Sequence, residues 1–136
     1  MTLAPADLVA PDAALIEQLA EDAILALPEV YRAAATRIVL RVEEFATDEV
    51  IEALGCDDPF DLTGMYDGIP LTEKSVMDQA QAPDMIWLFR RPILDEWIAR
   101  GDVGLDDLVG HVLVHELAHH FGWTDDEIAA IDQWWE

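Results

Sequence analysis

The sequence has few basic residues: 7 Lys and Arg stand against 29 Asp and Glu, giving a formal net charge of −22 over 136 residues. A nucleic-acid-binding protein needs a basic surface to face the phosphate backbone, and an anionic membrane surface attracts basic segments in the same way. The composition therefore excludes nucleic acids and anionic membranes as partners.

Cysteines and long apolar runs are also scarce. Cys56 is the only cysteine, so no internal disulfide can form, which is typical of a reducing compartment. No uncharged apolar run approaches the roughly 18 residues of a membrane-spanning helix, and the first residues lack the basic and apolar regions of a secretory signal. We therefore expect a cytoplasmic protein.

Apolar side chains, in contrast, are abundant. Hydrophobic residues make up 52% of the chain and include five Trp, which is enough to build a core and excludes a disordered acidic tail. At this length we expect a single domain over residues 1–136, with residues 1–11, which contain Pro5 and Pro11, as a loose lead-in.

The patterns along the chain predict a mixture of helices and strands, with residues 105–121 forming a central, largely buried helix. Asp12 can cap a first helix, and Pro28 can start a second one over residues 29–35. Residues 55–84 are rich in Gly and Pro, which predicts loops that could include a hairpin. The predicted strands are 36–45 and 85–90, the latter buried or at a sheet edge; the remaining predicted helices are 48–54, 92–100, 105–121 and 125–135.

The helix predicted over residues 105–121 carries the motif His115-Glu116-Leu117-Ala118-His119, which is H-E-x-x-H. His115 and His119 are four residues apart, so both imidazoles leave one helix face and can bind the same Zn²⁺ ion. Glu116 lies beside that face and can take a proton from a water molecule that the metal activates. Burying two imidazoles and a Glu without a metal would cost folding free energy. We therefore favour a catalytic zinc site over the alternative of two hydrogen-bonded core histidines.

The third metal ligand is expected just beyond this helix. Gly122 allows the chain to reverse, and Asp125 follows six residues after His119, where its carboxylate could bind zinc. Asp126 is the second choice, and an Asp that only favours the dipole of the next helix is the alternative reading. A divalent ion other than Zn²⁺ is also compatible with this ligand set.

Tyr66 lies between glycines and could donate its phenol hydroxyl to a tetrahedral oxyanion, although an ordinary turn aromatic is the alternative.

Three segments resemble the minimal zincins, a family of small bacterial metallopeptidase-like proteins. Residues 64–72 are similar to the family's G-x-Y-x-G-x-x-L segment, and residues 88–94 to its Y-R-R-P segment with Phe89 in place of Tyr. Residues 112–122 match the segment that contains the zinc motif, and the likeness extends over roughly residues 12–134. The resemblance implies an α+β zincin core without a Met-turn, and a zinc site formed by His115, His119 and Asp125.

These observations predict a zinc-dependent metallopeptidase in which Glu116 is the general base. We expect a monomer that cleaves a peptide or a flexible protein segment lying extended beside residues 85–89. Residues 101–136 contain no Lys or Arg, so a cationic substrate should be favoured. The alternatives are a non-catalytic acidic binding module that zinc stabilises, and a zinc-independent acidic interaction domain.

Overall fold

The computed structural model describes residues 10–68 and 84–122 and shows helices around a three-stranded sheet. Helix α1 (Ala13–Leu25) begins as predicted after Asp12, whose carboxylate accepts a hydrogen bond from the Leu15 N–H at 2.9 Å. This bond satisfies one of the amides that the first turn of a helix leaves unpaired. Helix α2 (Glu29–Ala35) follows Pro28, also as predicted. Residues 1–9 of the expected lead-in lie outside the described residues.

The sheet contains β1 (Val39–Glu43), β2 (Gly64–Asp67) and β3 (Met85–Phe89) in the order β1-β3-β2. β3 runs parallel to β1 and antiparallel to β2, so it is paired on both sides. The expectation that a substrate lies beside residues 85–89 is therefore wrong, because the backbone groups of a central strand are already used by its neighbours. β2 is the strand of this sheet that lies nearest to the zinc motif, and it falls in the stretch expected to be loops.

The two faces of the sheet pack on different elements. Ile86 and Leu88 point to the main core, where they join apolar residues of α1 and of the helix that carries the motif. Phe89, on the opposite face, packs with Ile51 and Ala46 in a smaller cluster. Because successive residues of a strand point to opposite faces, the apolar run of β3 serves both clusters.

The smaller cluster is closed by a short helix, α3 (Asp48–Ala53), and is followed by a 3-10 turn at Pro59–Asp61. Thr47 caps α3 by accepting from the Val50 N–H at 3.3 Å, and Gly55 takes the left-handed conformation just after it. Helix α4 (Arg90–Arg100) begins two residues earlier than predicted. Pro92 then lies in its first turn, where a missing N–H removes no helical hydrogen bond.

The central helix is α5 (Leu105–His120), which contacts α1, α4, β2 and β3. It buries side chains on most of its circumference, as the spacing of its apolar residues predicts. Gly122 follows with φ of 70°, the left-handed conformation expected of a residue that lets the chain turn after a helix. None of the helices in the described ranges is long and apolar enough to cross a membrane. The predicted helix 125–135 lies outside those ranges.

Candidate metal-dependent active site

The two histidines of the motif lie one turn apart near the C-terminal end of α5. Their ring centroids are 5.3 Å apart and the ring planes are inclined by 80°. His115 is half-buried and His119 is exposed. The helix thus presents two imidazoles at one place on its surface, which is the arrangement a shared metal ion requires.

Glu116 lies between them in sequence but is nearly enclosed, with 9% of its surface exposed. Burial raises the pKa of its carboxyl to about 7, because the charged form loses the water that would stabilise it. The backbone N–H of Tyr66 donates a hydrogen bond to this carboxylate and opposes part of the rise in pKa. A carboxyl with a pKa near 7 can both accept and return a proton at neutral pH.

β2 passes very close to α5 at Gly64. A Cβ atom at this position would lie 2.8 Å from Val112 Cγ1 and 3.2 Å from Glu116 Cγ, which is too close for a side chain. The carbonyl oxygen of Trp87 would be 3.3 Å away on the third side. Gly64 is therefore the residue that allows this strand to lie directly against Glu116.

The register of β2 determines which backbone groups face the site. The Phe89 N–H donates to the Thr63 carbonyl at 2.9 Å, so Met65 and Asp67, two and four residues on, also pair with β3. The N–H and C=O groups of Gly64 and Tyr66 alternate with these and point away from β3. One of them, the Tyr66 N–H, is the donor that reaches Glu116.

A second group of polar side chains lies buried beside this strand. The Tyr66 hydroxyl donates to Asp84 Oδ2 at 2.7 Å and lies 3.1 Å from His120 Nδ1. His120 Nδ1 is itself 2.8 Å from Asp84 Oδ2. Burial, followed by the hydrogen bond and charge of Asp84, holds the pKa of Tyr66 above its ordinary value, so the hydroxyl remains a donor.

A mononuclear zinc site needs a third protein ligand besides the histidine pair. Within residues 10–68 and 84–122, no group of three or more His, Cys, Asp or Glu side chains is placed to hold a metal ion. Asp125 and Asp126, the two candidates from the sequence, lie outside those ranges. The residue types fit zinc in their chemistry, since two neighbouring imidazoles together with one carboxylate would leave a fourth position open.

The structure brings His115, Glu116 and His119 together with Tyr66, although it directs the hydroxyl of Tyr66 to Asp84. The role of Tyr66 as an oxyanion donor stays a prediction. Asp84 and His120 were not identified from the sequence as members of the buried group around Tyr66. His120 is only 6% exposed and lies within it. No local sequence pattern identifies Asp84 as a functional residue, because its partners are 18 and 36 residues away in the chain.

Comparison with known families agrees with this arrangement. The sequence profile of a family described as zincin-like metallopeptidase matches residues 35–135. This range spans most of the chain, from the end of α2 to the penultimate residue, and it contains the histidine pair, Glu116, β2 and the group of Tyr66, Asp84 and His120. Comparison with curated proteins gives no match.

Proposed function

Since this chain belongs to the zincin-like metallopeptidase family, we propose that it hydrolyses peptide bonds with the help of zinc and with Glu116 as general base. The observation that carries this proposal is a nearly enclosed Glu116, with its pKa raised to about 7, on the helix that presents His115 and His119. In the proposal Asp125 is the third ligand, with Asp126 as the alternative, and another divalent ion could replace zinc. When bound, the metal would supply Lewis acidity to a carbonyl oxygen and to a water molecule.

The proton transfers fall to Glu116. In the ionised state its carboxylate accepts a proton from the attacking water, whose oxygen forms the new bond to the carbonyl carbon. The same carboxyl then donates that proton to the nitrogen of the leaving amine as the C–N bond breaks. The Tyr66 N–H, which donates to this carboxylate, orients it for both transfers and stabilises its charged form.

The substrate in this proposal is an extended segment of polypeptide beside β2. The outward N–H and C=O of Gly64 and the outward C=O of Tyr66 would pair with a peptide backbone. Such pairing places the peptide next to Glu116, since the Tyr66 N–H donates to Glu116 and a Cβ on Gly64 would touch it. It favours an unfolded or flexible segment, because most backbone groups of a folded chain are already paired with each other.

The experiment compares the wild type with Glu116→Gln on a broad peptide library, with the zinc content of both proteins measured. We expect the variant to retain zinc and to lose turnover by at least about 100-fold, the usual contribution of a general base. Glu52→Gln is the matched control. Glu52 is exposed on α3, so its replacement makes the same change in charge at a place away from α5. Turnover that survives in Glu116→Gln would contradict the proposal, and a zinc-loaded wild type that cleaves nothing would favour the binding-module alternative.

A further inference from the structure

The buried cluster of Tyr66, Asp84 and His120 has no part in the proton transfers described above, yet it is one of the most enclosed polar groups in the described structure. Asp84 and His120 are 9% and 6% exposed. Three contacts of 2.7, 2.8 and 3.1 Å join the tyrosine oxygen, one carboxylate oxygen and one imidazole nitrogen. Buried polar groups of this kind are costly unless every partner is in place, so the cluster holds its members in one arrangement.

The cluster joins three elements at the end of the site. Tyr66 belongs to β2, Asp84 directly precedes β3, and His120 is the last residue of α5. The backbone of Asp84 is fixed as well, because its carbonyl accepts from the Val39 N–H at 3.0 Å. When Asp84 is ionised it can only accept, so the 2.8 Å contact requires a proton on His120 Nδ1. The Asp84 carboxylate then binds the tyrosine on one side and the histidine on the other.

Tyr66 is therefore held through both its side chain and its backbone. Its hydroxyl is bound by Asp84, and its N–H donates to Glu116. We expect loss of the hydroxyl anchor to loosen the backbone at residue 66, because β2 is only four residues long and, among the described residues, pairs with β3 alone. A movement of the order of 1 Å at a reacting group can lower a rate by about 100-fold.

We propose that Asp84 and His120 are positioning residues: they hold the Tyr66 side chain so that the Tyr66 N–H keeps the carboxylate of Glu116 in place. Their effect on turnover rests on the proposed peptidase function, whereas the mechanical link between the cluster and the Tyr66 amide does not. In this role Tyr66 acts through its backbone N–H. The role predicted from the sequence is different, because an oxyanion donor would contact the substrate with the hydroxyl itself.

A double-mutant cycle separates the two roles. Tyr66→Phe removes the hydroxyl, and Asp84→Ala removes the carboxylate that accepts its hydrogen bond. Asn is not suitable at this position, because its side-chain oxygen could still accept that bond. We expect each variant and the double variant to lower kcat by about 10-fold, with KM and zinc content unchanged, because all three break the same hydrogen bond. Losses that multiply to about 100-fold in the double variant, or a wild-type kcat in Asp84→Ala, would overturn the proposal and favour independent action of the hydroxyl.

Three further variants accompany the cycle, one as a control and two as a matched pair at His120. Tyr31→Phe removes the same hydroxyl from the other tyrosine, whose ring packs against Phe121, and should leave kcat unchanged. His120→Asn keeps a side-chain N–H near the position of Nδ1, whereas His120→Ala does not. We expect the asparagine to restore most of the kcat that the alanine loses; equal loss in both would contradict a role that depends on this hydrogen bond.

A second measurement tests the link without activity, and so separates its failure from a failure of the peptidase proposal. Amide hydrogen exchange is followed by NMR at Tyr66, with the Phe89 N–H, which donates to Thr63, as internal reference. Loss of the anchor should accelerate exchange at Tyr66 by about fivefold in Tyr66→Phe and His120→Ala, the effect of weakening one hydrogen bond, and leave Phe89 unchanged. Unchanged exchange at Tyr66 in both variants, or equal acceleration at Phe89, would overturn the proposal.

Discussion

The backbone N–H of Tyr66 donates a hydrogen bond to the side chain of Glu116, so β2 and this residue of α5 are directly coupled. The coupling depends on how closely β2 approaches the helix. It brings the outward backbone groups of the strand, the carboxylate and the two histidines into one small region. A change that moves β2 away from α5 should therefore affect Glu116 before it affects the histidine pair.

Gly64→Ala tests this close approach. The new Cβ would lie 2.8 Å from Val112 Cγ1 and 3.2 Å from Glu116 Cγ, so β2 must shift outward. We expect a loss of about 1–3 kcal/mol in the free energy of unfolding, as for other overpacked sites, and a clear drop in kcat. Urea denaturation and steady-state kinetics measure the two effects, and zinc content should stay at the wild-type level.

Gly55→Ala is the control for Gly64→Ala, because it introduces the same methyl group in a different setting. No atom lies within 4 Å of its Cβ position, but its φ of 71° is unfavourable for alanine. It should lose about 1 kcal/mol of stability and keep its kcat. If Gly64→Ala loses no more stability than Gly55→Ala and also keeps its kcat, the close contact between β2 and Glu116 does not contribute to activity.

The raised pKa of Glu116 makes a prediction for the metal-free protein. Its pKa is about 7 in the folded chain against an ordinary value of 4.5, so folding favours the protonated form. The contribution of this group to stability is greatest below pH 4.5, falls as the pH rises from 4.5 to 7, and is constant above. Between pH 5.5 and 7.5 the loss amounts to about 2 kcal/mol.

Glu116→Gln removes this titration, since the amide stays neutral. Measured by urea denaturation without metal, the variant should gain stability relative to the wild type as the pH is raised from about 5.5 to about 7.5. Groups distant from Glu116 titrate alike in both proteins and cancel in the difference. Glu52→Gln should show no such trend, and a difference between Glu116→Gln and the wild type that does not change with pH would contradict the shifted pKa.

Local patterns predicted those parts of the fold that local physics determines. The cap at Asp12, the start at Pro28, the buried helix α5 and the stop at Gly122 each depend on residues within a few positions of one another. The same holds for the histidine pair, because a spacing of four residues on a helix fixes a common face.

Relationships between distant segments were not predictable in this way. The apolar run of β3 indicates burial on both faces but contains no information on its neighbours, so its central place in the sheet was missed. β2 is four residues long, begins at Gly64 and lies in a stretch rich in turn residues, so it carries no strand signal. Asp84 was missed because its function arises only when β2, β3 and α5 meet.

Two tryptophans allow the value of one buried hydrogen bond to be measured. Nε1 of Trp97 donates to the Val103 carbonyl at 3.0 Å, whereas Nε1 of Trp87 is buried without a partner in the part of the chain that the structure describes. Trp97→Phe should therefore cost about 1 kcal/mol more than Trp87→Phe, because the first change leaves a carbonyl unpaired and the second removes an unsatisfied donor. Urea denaturation of the two variants provides the comparison, and a larger loss for Trp87→Phe would show that Nε1 has found a partner.

The distribution of charge predicts a preference among substrates. Residues 101–136 contain no Lys or Arg, and the whole chain carries a formal charge of −22, so the field around the histidine pair is negative. We expect peptides with Lys or Arg near the cleaved bond to be hydrolysed with a higher kcat/KM than matched peptides with Asp or Glu at low salt. The ratio should fall towards one as salt is added, because the Debye length shrinks to about 3 Å at 1 M. Neutral peptides serve as the control for unspecific effects of salt.

The double variant Asp106→Asn, Asp107→Asn tests the same preference from the side of the protein. Both residues are exposed at the start of α5, and their replacement should reduce the ratio without altering zinc content. Equal kcat/KM for basic and acidic peptides at low salt would contradict electrostatic selection and leave the shape of the β2 edge as the basis of specificity.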